Sequence, residues 1–239
     1  MSIKDNLIKI KSGLPQNVRL VAVSKFHPAQ AVVEAIEAGQ KVFGENRVQE
    51  AAEKFDEVRK TYPDVELRII GRLPRNKVKE AVRVADAIDS VDRIELLEEI
   101  EKQAAKIEKK IQILLEFHTG EESKSGFEDK TLVFEALQKI ADGAFPHVEP
   151  RGFMTMAPFT DDKGLVRASF IKLRELRDEC AARFPQFNLS ELSMGMSGDW
   201  KIAVEEGSTM VRIGTAIFGE RDYGASKFAA AGAAQGGAK

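Results

Sequence analysis

Two short stretches near opposite ends of the chain hold residue types that could do chemistry together. Val21-Ala22-Val23-Ser24-Lys25 is an apolar strand pattern that stops at a lysine. A lysine held at a strand end in a partly apolar pocket can lose its proton and form a Schiff base with a carbonyl. Met210-Val211-Arg212-Ile213-Gly214-Thr215 is a second apolar strand pattern, and it stops at a Gly-Thr turn. Such a turn offers backbone N–H groups and a hydroxyl to a phosphate, with Gly214 allowing close approach. An amine for an aldehyde and a cup for a phosphate together suggest pyridoxal phosphate (PLP) as the ligand.

Further polar groups cluster in the loops that would surround these two. Ser193-Met194-Gly195-Met196-Ser197-Gly198-Asp199-Trp200 precedes the second strand, and Ser197 can add its hydroxyl to the same phosphate. The ordinary reading of this loop is a helix cap at Ser197 or Asp199. Asn46, in Phe43-Gly44-Glu45-Asn46-Arg47, reads equally as a helix N-cap or as a ligand contact. Gly71-Arg72-Leu73-Pro74-Arg75-Asn76-Lys77 is basic and reads as a solvated charge run. The segment 118–127 is long, polar and glycine-bearing, as a loop over a site would be. Lone His118 has no second ligand at metal-binding spacing. His27, two residues after Lys25, is a candidate neighbour of it but reads more readily as an exposed turn residue. Met154 and Met156 read as apolar packing at the same end.

The elements that must position these groups follow from alternation. Short apolar runs at 20–24, 41–43, 67–70, 87–88, 111–117, 148–153, 191–193 and 210–213 read as strands. Amphipathic segments at 28–38, 48–61, 77–84, 93–109, 130–141, 162–184, 199–205 and 215–218 read as helices, with an opening helix at 3–11. About eight βα units in 239 residues favour a single closed (β/α)8 TIM barrel, an α/β fold whose active sites gather at the C-terminal ends of the strands. No Gly-x-Gly-x-x-Gly follows the first strand, which speaks against a dinucleotide fold. The barrel is expected over 1–223, followed by an Ala/Gly-rich, disordered tail over 224–239.

Lys plus Arg is 36 and Asp plus Glu is 38, so a net charge of -2 gives no reason to expect nucleic acid or an anionic membrane as partner. The single cysteine, Cys180, can form neither an internal disulfide nor a cysteine-based metal site, and it reads as a half-buried helix residue. No apolar run approaches a membrane span and the first residues resemble no signal core, so the cytoplasm is the expected compartment.

Taken in order, several motifs name a family. They are Ala22-Val23-Ser24-Lys25, Phe43-Gly44-Glu45-Asn46, Ile70-Gly71-x-Leu73 with Asn76-Lys77, Glu122-Ser123-Lys124-Ser125-Gly126, Arg151-Gly152-Phe153-Met154, Leu192-Ser193-Met194-Gly195-Met196-Ser197 and the run 207–219. Over residues 4–223 the chain closely resembles the YggS/PROSC family of pyridoxal phosphate homeostasis proteins. The resemblance implies a barrel like the N-terminal domain of alanine racemase, with an extra N-terminal helix. It implies that Lys25 carries PLP as a Schiff base and that Ser197, Gly214 and Thr215 bind the phosphate. It also implies that Arg212 faces the pyridine nitrogen, leaving PLP a weaker electron sink, and that Asn46 lies near the ring. The chain departs from the family pattern at Arg68, where a histidine is usual, at Pro74 and at His118.

The leading expectation is a carrier or buffer of PLP without robust catalysis, with apo PLP-dependent enzymes as recipients. A racemase is the first alternative, but two-base racemisation needs a second acid/base on the opposite face. Neither tyrosine suits it. Tyr62 falls on the far side, Tyr223 starts the tail, and no second domain is expected after Gly219. A class I aldolase using Lys25 on a sugar phosphate is the alternative that needs no family. A monomer is expected, since no helix carries a surplus apolar face.

Overall fold

Strands covered on both faces by other structure need apolar residues on both, and their helices need only one apolar stripe. The chain meets both conditions in strict alternation. The computed structural model describes residues 2–120 and 125–220. It opens with α1 (Ile3–Gly13) and continues as β1 (Arg19–Val23), α2 (Ala29–Glu37), β2 (Val42–Glu45), α3 (Val48–Val58) and β3 (Glu66–Ile69). A 3-10 turn (Arg75–Lys77) leads into α4 (Val78–Val84), β4 (Ala87–Val91), α5 (Ile94–Ala105), β5 (Ile111–Glu116) and α6 (Lys130–Ala141). The described chain finishes with β6 (Val148–Met154), α7 (Lys163–Arg183), β7 (Glu191–Ser193), α8 (Trp200–Glu205), β8 (Met210–Ile213) and α9 (Thr215–Phe218).

All neighbouring strands are parallel, and β1 pairs with β8 from Arg19↔Met210 to Ala22↔Ile213, closing the barrel. The expected eightfold barrel and its opening helix are therefore both present. Caps are local: Ser2 and Asp5 form a reciprocal box at α1, and Asp129 accepts from Thr131 N at 2.6 Å to start α6. The main core lies between sheet and helices, where the Phe43 and Phe55 rings sit 5.9 Å apart and Leu96, Leu97, Phe170 and Leu173 are fully buried. Helix α1 lies against α9, with Asn6 Nδ2 donating to the Ile217 carbonyl at 2.9 Å.

The inside of the barrel is polar along part of its length. Arg68, fully buried, donates through Nε to both oxygens of Asp89 (3.0 and 2.9 Å), through Nη1 to Glu66 (2.7 Å) and through Nη2 to Glu191 (3.0 Å). Arg19 joins Glu66 at 2.6 Å from the base. Burial alone would lower the Arg68 pKa, but Asp89 and the other carboxylates raise it above the ordinary value. This network corrects the short reading of β4 as 87–88. Asp89 and Ser90 look like loop residues, yet Asp89 is paired inside the barrel and Ser90 Oγ donates to the Gly71 carbonyl at 2.7 Å.

Cys180 is fully buried rather than half-buried, and burial pushes its thiol up to about 12. Among the described residues, no helix is long and apolar enough to cross a membrane, and no three His, Cys, Asp or Glu side chains group as metal ligands. The tail expected at 224–239 lies outside the described residues.

Candidate functional site

A cleft of about 260 Å³ opens at the C-terminal ends of the strands, and its walls include Lys25, Asn46, Ser197, Arg212, Gly214 and Thr215. All six residues singled out from the sequence meet there. Strand alternation explains the lysine. Along β1 the odd positions face the barrel interior, so Val23 and Lys25 both line the cleft while Ser24 turns outward. Lys25 is half-buried, between apolar walls supplied by Val23, Ile70 and Met156.

Asn46 follows β2. Arg47, not Asn46, occupies the N-cap position of α3, with no side-chain capping bond, so the N-cap reading of Asn46 is replaced by its place on the cleft wall. Gly71 makes that place possible. A Cβ at Gly71 would stand 2.8 Å from both Cα and the carbonyl oxygen of Asn46. Gly214 plays a similar part beneath the opposite wall, where a Cβ would lie 3.0 Å from the Val23 carbonyl oxygen.

Arg212 comes from β8 and is buried. Its Nη1 donates to the Ser193 carbonyl (2.6 Å) and Oγ (2.8 Å), and Nη2 to the Thr155 carbonyl (2.8 Å). Each of these partners is neutral. Burial lowers the Arg212 pKa, while Asp89, Glu116 and Asp199 pull the other way through space. Across the cleft, Ser197 and Gly198 border the same space as Gly214 and Thr215. Asp199 accepts from Met196 N at 2.5 Å and so shapes the loop, but it makes no side-chain cap on α8. The donor set suits a phosphorylated aldehyde with an aromatic ring: one amine, two hydroxyls, a glycine turn, apolar faces and one guanidinium tied only to neutral oxygens.

Other sequence readings sort themselves by location. His27 is half-buried on the cleft wall, its ring 5.1 Å from Phe218, so the neighbour reading holds over the exposed-turn one. Met156 lines the cleft and Met154 is buried beneath it. Arg72 and Arg75 are exposed, Arg75 pairing with Glu99 at 3.1 Å, as a solvated run does. His118 borders a small separate recess with Glu116, Thr119 and Ser125. Glu122 to Lys124, part of one quoted motif, and Tyr223 lie outside the described residues. Tyr62 sits between α3 and β3 at the opposite end of the barrel, 3.2 Å from Glu37. Sequence reasoning missed Glu45, Glu50 and Lys54, a buried group directly behind Lys25. The only signal was the i, i+4 spacing of Glu50 and Lys54, which reads as a surface pair.

Comparison with known proteins covers nearly the whole chain. The family model for the alanine racemase N-terminal domain matches residues 1–222. The pyridoxal phosphate homeostasis protein of Aquifex aeolicus is 41% identical over 217 residues, covering 89% of this chain and 92% of its own. The human protein of the same name is 37% identical over 214 residues, covering 86% of this chain and 77% of its own. The structure of PipY from Synechococcus elongatus with PLP bound is 37% identical, covers 91% of this chain and 100% of its own, and superposes with a TM-score of 0.83. Alanine racemase of Clostridium difficile, 17% identical and covering 92% of this chain and 56% of its own, shares the barrel with a TM-score of 0.73. The chain belongs to the family of pyridoxal phosphate homeostasis proteins, built on the barrel of the alanine racemase N-terminal domain.

Proposed function

We propose that this chain binds PLP in the cleft at the barrel mouth, attached through Lys25, and serves as an intracellular carrier or buffer of the cofactor. The observation that carries this reading is the convergence of Lys25, Asn46, Arg212, Ser197, Gly214 and Thr215 on one cleft from both ends of the chain. The PLP-bound relative supports the choice of ligand. PLP, when bound, supplies an aldehyde that condenses reversibly with an amine and a ring that can withdraw electrons.

The residues divide the work by chemistry. Lys25 provides the amine. Ser197, Gly214 and Thr215 would hold the phosphate with hydroxyls and backbone N–H groups. Asn46 would lie beside the ring. Arg212 would meet the ring nitrogen as a donor that does not give up its proton, which leaves that nitrogen unprotonated and the electron sink weak. Tyr62, the described tyrosine, is at the wrong end of the barrel to act as an opposing base. The relatives are named for homeostasis rather than for a reaction. Recipients would be apo PLP-dependent enzymes. Of the large exposed apolar side chains Ile8, Ile107, Leu132, Phe159, Leu165 and Met196, only Phe159 and Leu165 are close in sequence, and this scatter supports a monomer.

The test is direct. PLP added to the purified protein should produce a visible absorption band, and borohydride should fix a pyridoxyl group on the peptide containing Lys25. Lys25→Ala should abolish both. A fixed adduct elsewhere, with Lys25→Ala binding as well as the unaltered chain, would sink the reading. Transfer to an apo enzyme no faster than from free PLP would remove the carrier role, and amino-acid racemisation lost in Lys25→Ala would replace it with an enzymatic one.

A further inference from the structure

Immediately behind Lys25, on the outer face of the barrel wall, lies a buried group of three charged side chains. Glu45 ends β2 at 0% exposure, and Glu50 and Lys54 stand one turn apart on α3 at 5% and 7%. Lys54 Nζ donates to Glu45 Oε1 (2.7 Å), to Glu50 Oε1 (3.0 Å) and to the Ser24 carbonyl (2.8 Å). Glu50 Oε1 also accepts from the Phe26 backbone N–H at 2.6 Å, and Ser24 Oγ donates to Glu45 Oε1 at 2.7 Å. The group therefore grips the residue before Lys25 and the residue after it.

The turn it grips closes through one bond of its own, the His27 N–H donating to the Ser24 carbonyl at 3.1 Å, which leaves the Phe26 N–H to the cluster. Phe26 has φ 66°, in the left-handed region that a bulky side chain rarely adopts, so its neighbours must fix it there. As a stabiliser alone the cluster is inefficient, since burying charges costs about as much as their mutual attraction returns. What apolar residues of the same volume could not do is bond the Ser24 carbonyl and the Phe26 N–H.

We propose that Glu50 and Lys54, backed by Glu45, are positioning residues that fix the backbone on both sides of Lys25 and so aim its amine into the cleft. The inference rests on the PLP reading of that cleft. Glu50→Gln keeps an acceptor oxygen for the Phe26 N–H, and Glu50→Ala removes it. PLP titration followed by the visible band, with borohydride trapping, should show Glu50→Gln within about threefold of the unaltered protein and Glu50→Ala weaker by about tenfold or more, as loss of a hydrogen bond to a charged group predicts. The band of Glu50→Ala should also shift. A merely structural role would lower the melting temperature of the apo variants and leave band and affinity unchanged, which overturns the proposal.

Should neither variant fold, hydrogen exchange at the Phe26 amide of the unaltered protein decides. Protection matching the β1 amides supports the proposal, and exchange as fast as an open loop overturns it. No adduct on Lys25 in the unaltered protein would defeat the PLP reading and this inference together, an outcome distinct from normal loading by Glu50→Ala.

Discussion

Glu45 and Glu116 each end a strand and each carry one buried carboxyl oxygen, Oε2, with no hydrogen-bond partner among the described residues. Burial raises both pKa values; Lys54 opposes it at Glu45, and the Ser125 hydroxyl, at 2.8 Å, opposes it at Glu116. The sign of the consequence follows from linkage. Below the ordinary value of 4.5 the Glu116 carboxyl is neutral in folded and unfolded chains alike. Above it the unfolded chain releases the proton first, so stability falls as pH climbs towards the raised folded value. Glu116→Gln removes that loss and leaves one buried atom unpartnered, as before. Thermal unfolding at pH 7.5 should show the variant more stable than the parent, with the gain gone at pH 4. A variant less stable than the parent at pH 7.5 would contradict the burial account.

Elements approach one another closely where the cleft needs them to. The loops after β2 and β3 touch at Gly71 and Asn46, where a Cβ on Gly71 would meet backbone rather than a flexible side-chain tip. Gly71→Ala should displace Asn46, cost about 1–3 kcal/mol of stability and weaken PLP binding several-fold. Denaturation and PLP titration check the two parts separately, and unchanged values in both would refute the contact. Much of this layout was legible in the sequence. Apolar runs alternating with amphipathic segments mark the βα units, and strand-end lysine and Gly-Thr turns mark the two halves of the cleft. Boundaries were less legible where a strand carries polar residues inward. Asp89 belongs to β4 because Arg68, 21 residues earlier, bonds it inside the barrel. Glu50 and Lys54 resemble a solvent pair locally, because the β2 and Ser24 groups they grip come from other segments.

Across the whole molecule the barrel has two regimes, an ion network from the base to the middle and a ligand cleft at the mouth. Arg68, read from the sequence only as a departure from the family pattern, is the hub of the first. Arg68→Met leaves Asp89 buried and unpaired and should cost about 3–5 kcal/mol in guanidinium unfolding. Asp89 acts on Arg212 through space, but no side chain of the network lines the cleft, so the variant should still load PLP on Lys25 below its melting temperature. A loss under about 1 kcal/mol would show the network to be dispensable. Closure of the barrel carries a consequence for the order of synthesis. β1 completes its pairing only against β8, and α1 docks on α9, so first-made and last-made segments depend on each other. A chain still emerging from the ribosome holds the amine of Lys25 but neither Arg212 nor the Gly214-Thr215 turn. Until the last strand arrives, that lysine is chemically one among the many lysines of the chain. On the proposed function, selective capture of the aldehyde is thus a property the protein acquires at the end of its making, all at once.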